Sequence, residues 1–403
     1  MKKFYYGWVI VGVGLLVKMA ALGFGRFAYA MLLSSMRTSL EFNYIQMGLL
    51  SGGILFGYLI FSFVGGTLAT KFGSKRVVVI SLLCSSFAMF FISQFSSFAL
   101  LLLLTVVMGG AAGGAHISMT TLPMAWFDKN RLGRALGIVT GGTGLGIIVT
   151  GLLLPVLLSS LGKGAWRQCW IFLSLMTLTV AMIGWILLRE KPVMVPVPPV
   201  SPGENIVPPQ ARTVEFTLKT LFVYYFVFGI AYNIYATYFV AFMVDELRLS
   251  GRLAGLIWSL FGWTCLASGL VWGSLSDRLG RKTALLWNNG LISLALVIPL
   301  LFHQPILLGT STFLFGFTFL GTITIVAASV GDLTVEKKAS VYGLITLVHG
   351  IGQFLGTTSG GYLKDLTGSF QLTLVSSLIG FILCCVLILL NRKGRKSISL
   401  TLL

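Results

Sequence analysis

Long apolar runs recur along this chain with short polar stretches between them, and each is long enough to exceed the roughly 18 residues that mark a membrane-spanning helix. Six read near 6–34, 44–70, 75–96, 98–125, 131–158 and 166–189. Six more read near 216–244, 252–275, 281–302, 304–331, 339–364 and 369–391. Hydrocarbon offers a backbone no hydrogen-bond partner, so each run must satisfy its own polar groups and is predicted as a helix. Strands of a membrane barrel would alternate polar and apolar residues, and these runs do not.

Composition agrees with that pattern. With 56% hydrophobic residues, 10% charged residues and a mean hydropathy of +0.93, the chain has too few charges to cover a soluble surface. Its 48 glycines suit close helix–helix approach in a bundle. The expected class is an all-α membrane protein of twelve transmembrane helices.

The net charge of +18 raises the question of a nucleic-acid partner, and its placement answers it. Numbering the spans from a cytoplasmic N-terminus puts twenty-one of the 29 Lys and Arg on one side and six on the other. That asymmetry is the positive-inside pattern, so both termini are expected in the cytoplasm and no nucleic-acid partner is expected. The five cysteines all fall within apolar runs, without the paired external positions of a disulfide framework or zinc site. No cleavable signal peptide is read: the run after Lys2 and Lys3 is too long and carries internal charges.

The chain divides in two. Seven of its eleven prolines lie between Pro192 and Pro209, which reads as an extended cytoplasmic linker with six spans on either side. The expected division is a bundle over 1–189, a linker over 190–215 and a second bundle over 216–403. The bundles repeat. Gly66, Gly73 and Lys75 match Gly273, Gly280 and Lys282 at an offset of 207, and Gly137, Gly144 and Gly146 match Gly343, Gly350 and Gly352 at 206. Parallel six-helix repeats with a site between them at mid-membrane describe a rocker-type transporter.

Gly273-x-x-x-Asp277-Arg278-x-Gly280-Arg281-Lys282 resembles the loop signature of the major facilitator superfamily. The resemblance implies two pseudo-symmetric six-helix bundles and a gating role for Gly66, Gly73, Gly273, Asp277, Arg278 and Gly280. Glycine permits the sharp turn, and Asp277 can cap or pair with neighbouring helix ends. The first copy departs from the pattern, with Thr70 where an acid is usual.

Further stretches resemble bacterial monocarboxylate and oxalate/formate-type carriers: Tyr5-Tyr6-Gly7-Trp8, the run from Trp126 through Arg134 to Gly137, and Tyr342-Gly343 with Gly350, Gly352 and Gly360 to Gly368. Gly25-Arg26-Phe27 resembles another bacterial subgroup of the same superfamily. Residues 141–151 lack the Gly-Pro pair of drug antiporters. The resemblance implies a monomeric carrier of the bacterial inner membrane, with a small-molecule substrate and no cofactor.

Ionisable groups inside a membrane are costly and mark candidate sites. Lys18, Arg26, His116 and His349 lie within spans, and no Asp or Glu lies well inside one. Such a cavity suits an organic anion. Arg26 follows Trp8 by eighteen residues, the spacing at which the carriers resembled here place a substrate-binding Lys. An Arg can grip a carboxylate with two parallel hydrogen bonds. Its alternative is to snorkel toward headgroups, at about 30 Å along the helix from Tyr6. Lys18, at about 18 Å, is too deep for that and either lines the cavity or pairs with carbonyls. His349 and Gln353 share a helix face with Tyr342, and Asn233 with Tyr232 and Tyr235 lies midway along the seventh helix. The substrate-binding candidates are thus Arg26, Lys18, Asn233, His349, Gln353, His116 and Tyr232, the last five with an interhelical bond or packing as the alternative.

The eighth helix lacks the Arg that the carriers resembled here use, so the binding charge must come from elsewhere. His116 or His349 can carry a coupling proton, or the carrier exchanges anions. No nucleophile–base pair or metal cluster suggests an enzyme. The expected function is secondary transport of a small organic anion; the alternative is a small uncharged or amphipathic solute.

Overall fold

The computed structural model describes residues 5–162, 164–190, 216–333 and 338–391. All but the first residue of the expected 190–215 linker, and the basic tail from 392, lie outside these. Six helices make the first half: α1 Gly7–Leu40, α2 Tyr44–Phe72, α3 Ser74–Gln94, α4 Phe98–Trp126, α5 Lys129–Leu161 and α6 Ala165–Leu187. The second half holds α7 Leu218–Glu246, α8 Gly251–Leu279, α9 Arg281–Leu301, α10 Pro305–Leu333, α11 Lys338–Thr367 and α12 Gln371–Leu390.

Eleven of these are long and apolar enough to cross a membrane. The other, α11, is 30 residues long and carries His349 and Gln353 in its middle. That polar pair is the part that faces the site. Two stretches are π-helical, Met19–Phe27 inside α1 and Phe242–Glu246 at the end of α7. In both halves the turn after the first helix holds a non-glycine residue in the left-handed region, Glu41 and Arg248, each at φ 56°. Asn43 and Ser250 then cap the next helix through their side chains. These pairs are 207 residues apart, the offset of the glycine motifs.

Glycine decides how closely helices cross. A Cβ on Gly57 would stand 1.9 Å from the Val106 carbonyl oxygen, so α2 and α4 touch backbone to backbone. Gly146 of α5 meets Gly23 of α1, and its repeat counterpart Gly352 of α11 meets Phe226 and Ile230 of α7. The repeat therefore preserves packing as well as sequence.

The two halves meet along α2–α11 and α5–α8. The contacts lie toward the face that carries the α1–α2 and α7–α8 turns, here the loop face. Gly48 and Gly52 pack on Thr357 and Phe354, while Gly144 and Gly151 pack on Gly262 and Gly255. Toward the opposite, terminal face, Gly133 and Gly137 of α5 and Gly343 of α11 meet open space. The halves are closed on the loop face and diverge toward the terminal face.

Candidate functional site

Of two cations on α1, Lys18 precedes its π-helical stretch and Arg26 lies in the last turn of it. Lys18 is 2% exposed, and its ammonium donates to His116 Nδ1 at 2.9 Å, His116 O at 2.9 Å and Thr120 Oγ1 at 2.8 Å. Three donors meet three acceptors, none of them a carboxylate. A charged Lys can only donate, so His116 Nδ1 accepts and the neutral ring carries its proton on Nε2. Lys18 is thus fully hydrogen-bonded inside the first half, without a counter-charge.

Arg26 does not snorkel. It reaches across to the second half, where Nη2 donates to the Tyr232 hydroxyl and, at 2.8 Å, to Gln353 Oε1. Its guanidinium carbon lies 5.3 Å from the ring centroids of both Phe27 and Tyr58. Nε and Nη1 make no hydrogen bond to a protein acceptor among the described residues. Loop-ward of Arg26 the halves leave a cavity of about 20 Å³, bordered by Ser51, Asn233 and Thr237. That is room for one water and no more. A solute larger than water does not fit on that side of Arg26.

The second half frames Arg26 with neutral groups. Asn233 Nδ2 donates to the Gln353 backbone carbonyl at 3.2 Å. The Tyr232 ring lies against Phe319 at 4.9 Å and is stacked on His349 at 5.6 Å. His349 lies flat on Tyr225, centroids 3.9 Å apart, and its Nδ1 is 2.9 Å from the Tyr225 carbonyl, which makes Nδ1 the protonated nitrogen. The structure therefore brings Arg26, Tyr232, Asn233, His349 and Gln353 into one cluster and sets Lys18 with His116 in another.

Tyr58 joins them, and the sequence did not single it out. Its ring is edge-on to His116 at 5.9 Å and lies beneath Arg26 at 5.3 Å. One aromatic residue on an apolar helix carries no signal until the packing shows what it touches.

Acids among the described residues sit at helix ends, and at the loop face they tie the halves together. Asp365 of α11 accepts from the α2 amides of Tyr44 at 3.0 Å and Ile45 at 2.7 Å, a cap supplied from the other half. Asp245 accepts from the Tyr44 hydroxyl at 2.7 Å and lies 4.0 Å from Arg37. Lys364 pairs with Glu246 at 2.9 Å.

At the terminal face, Gly73 and Gly280 make the sharp turns at φ 87° and 89°. Asp277 pairs with Arg281 at 2.8 Å across its own turn, and Arg281 continues to Asp332 of α10 at 3.0 Å. Through Arg281, Asp277 is linked to a neighbouring helix. Gly66 and Gly273 face Ile117 and Thr324 of their own halves, and Arg278 is exposed. In the first half Thr70 bonds back to its own helix, and Glu190 supplies the acid, accepting from the Lys75 amide at 2.8 Å.

The architecture is shared with solved transporters. A bacterial homologue of the human lysosomal transporter Spinster, described as inward-facing and unoccupied, superposes with a TM-score of 0.78 over 97% of both chains at 14% identity. In sequence, the chain is 25% identical over 357 residues to the hexuronate transporter of Bacillus subtilis (strain 168), covering 81% of each. It is 26% identical over 327 residues to monocarboxylate transporter 13 of Bos taurus, covering 77% of this chain and 72% of that one. These relatives are transporters, not enzymes. Residues 18–389 match the family described as "Uncharacterised MFS-type transporter YbfB", and the chain belongs to that family of multi-pass major facilitator transporters.

Proposed function

We propose that this transporter carries a small organic anion, monocarboxylate-like in its acidic group, by alternating access, and that Arg26 binds the acid. One observation carries the reading: Arg26 stands where the halves meet, partly exposed, with donors left over and only neutral partners. The acids of the loop face are bonded at helix ends and leave its charge uncompensated. The acidic substrates named for the hexuronate and monocarboxylate relatives support the same class. Basic residues crowd the terminal face, which supports a bacterial inner-membrane protein with both termini in the cytoplasm. In that orientation the carrier is inward-open. Of the coupling modes, proton symport would use the Lys18–His116 pair, and anion exchange needs neither group to titrate.

Binding of carboxylates to purified Arg26→Gln tests this. Loss of a charge-assisted bond to a buried acid costs on the order of 2–5 kcal/mol, a loss of affinity of roughly 30-fold or more. Arg26→Lys should recover part of it. Near-wild-type affinity in Arg26→Gln, or preferred binding of neutral analogues by the wild type, would sink the anionic reading and favour an uncharged solute.

A further inference from the structure

Both partners of Arg26 are neutral, and both belong to the opposite half. They share one nitrogen, Nη2. In a guanidinium the Nε–H points to the Nη2 side, and the end-on pair is Nη1 with Nη2, so every two-pronged grip on a carboxylate includes Nη2. An acid cannot take that grip while both neutral acceptors remain. A carboxylate adds an opposite charge and a second parallel bond that a neutral acceptor lacks, so the exchange favours the acid.

The two acceptors are not equally free to leave. The Tyr232 ring is held against Phe319 and His349. The Gln353 side chain makes only the bond to Arg26 among the described residues, while its backbone carbonyl is held by Asn233. We propose that Gln353 is a place-holder for the substrate's acid on Arg26: the acid displaces the Gln353 amide and so breaks a bond between the halves as it binds. This rests on the anionic reading and deepens it. Occupancy of the site and release of α1 from α11 become one event, and the empty carrier keeps the link.

The sign of one substitution separates place-holder from ligand. Lactate, malonate and glucuronate are titrated by calorimetry into purified wild type, Arg26→Gln and Gln353→Met. Removing a competing neutral hydrogen bond should tighten binding of the acids roughly threefold to tenfold in Gln353→Met. Gln353→Glu should abolish binding, because a fixed carboxylate then occupies Arg26. Unchanged or weaker binding by Gln353→Met, or undiminished binding by Gln353→Glu, overturns the place-holder while Arg26→Gln still loses affinity. If Gln353→Met does not fold, Tyr232→Phe removes the other acceptor and keeps the ring; tighter binding is again expected, and weaker or unchanged binding overturns the idea. Absence of acid binding by wild type, or its retention in Arg26→Gln, removes the anionic reading itself.

Discussion

Arg26 of the first half and Asn233 of the second, 207 residues apart, both hydrogen-bond Gln353, one to its side-chain oxygen and the other to its backbone oxygen. The same offset relates Glu41 to Arg248 and Asn43 to Ser250, so the two donors hold corresponding places in the repeat. The halves contribute unequally at these places. The first brings a permanent charge and the second a neutral amide, which makes the site asymmetric inside a pseudo-symmetric fold.

The loop-face closure should depend on Asp365. Its two bonds to the α2 amides cross between halves, and Asp365→Ala leaves both amides without that acceptor. The closed state should weaken by about 1–3 kcal/mol. A single cysteine at Ser51, in an otherwise Cys-free protein, should then label faster from the loop side. An unchanged labelling rate would show that the closure does not rely on this cap.

Asp277 should govern exchange between states more than affinity. Its pair with Arg281 is half-exposed, and an ion pair of that kind biases an equilibrium by about 1 kcal/mol at most. Asp277→Asn should slow transport while leaving the substrate Kd within about threefold, a span of roughly 0.7 kcal/mol. A large loss of equilibrium binding with the transport rate preserved would contradict this role.

Proton coupling, if present, should run through Lys18 and His116. His349 is stacked on Tyr225 and bonded to a carbonyl, whereas Lys18 and His116 are two bases in direct contact. Uptake by wild-type vesicles should rise with an inward proton gradient. Lys18→Met and His116→Gln should abolish that response, and His349→Gln should keep it. Wild-type uptake that ignores the gradient makes anion exchange the mechanism.

Glycine contacts offer a stability test that is independent of substrate. Gly57→Ala sets a methyl carbon against the Val106 backbone oxygen and should destabilise the protein by about 1–3 kcal/mol, lowering the melting temperature in detergent. Gly137→Ala enters open space in a helix and should be neutral or slightly stabilising. Equal melting of the two variants would mean that α2 and α4 do not approach as closely as described.

Orientation is tested by single cysteines placed between positions 192 and 212. They should resist an impermeant thiol reagent in intact cells and react once the membrane is opened. Labelling from outside would invert the carrier and turn its open face to the exterior.

The fold was legible because each span obeys a local rule. A run of apolar residues in lipid has to be helical whatever its neighbours are, so twelve helices could be counted from the chain. Within α11, His349 and Gln353 stand out against Gly, Leu and Ile, and they had marked that helix as functional. The glycine spacing announced a repeat for the same reason: close backbone crossings tolerate no side chain.

Sequence alone therefore determined the helices, the two-fold repeat and the positive, acid-poor character of the interior, since these follow from composition, spacing and the cost of charge in lipid. Tertiary structure decided which polar groups meet. Lys18 and Arg26 are eight residues apart on one helix, yet the first bonds within its own half and the second across to the other. Only the rotation of a partly π-helical α1 against α4, α7 and α11 separates them. That Tyr58 stands between the two clusters, that Glu190 supplies the acid missing at Thr70, and that Asp365 caps a helix 321 residues away are likewise products of packing. A side chain's partners depend on helices distant in the chain, and no local pattern encodes them.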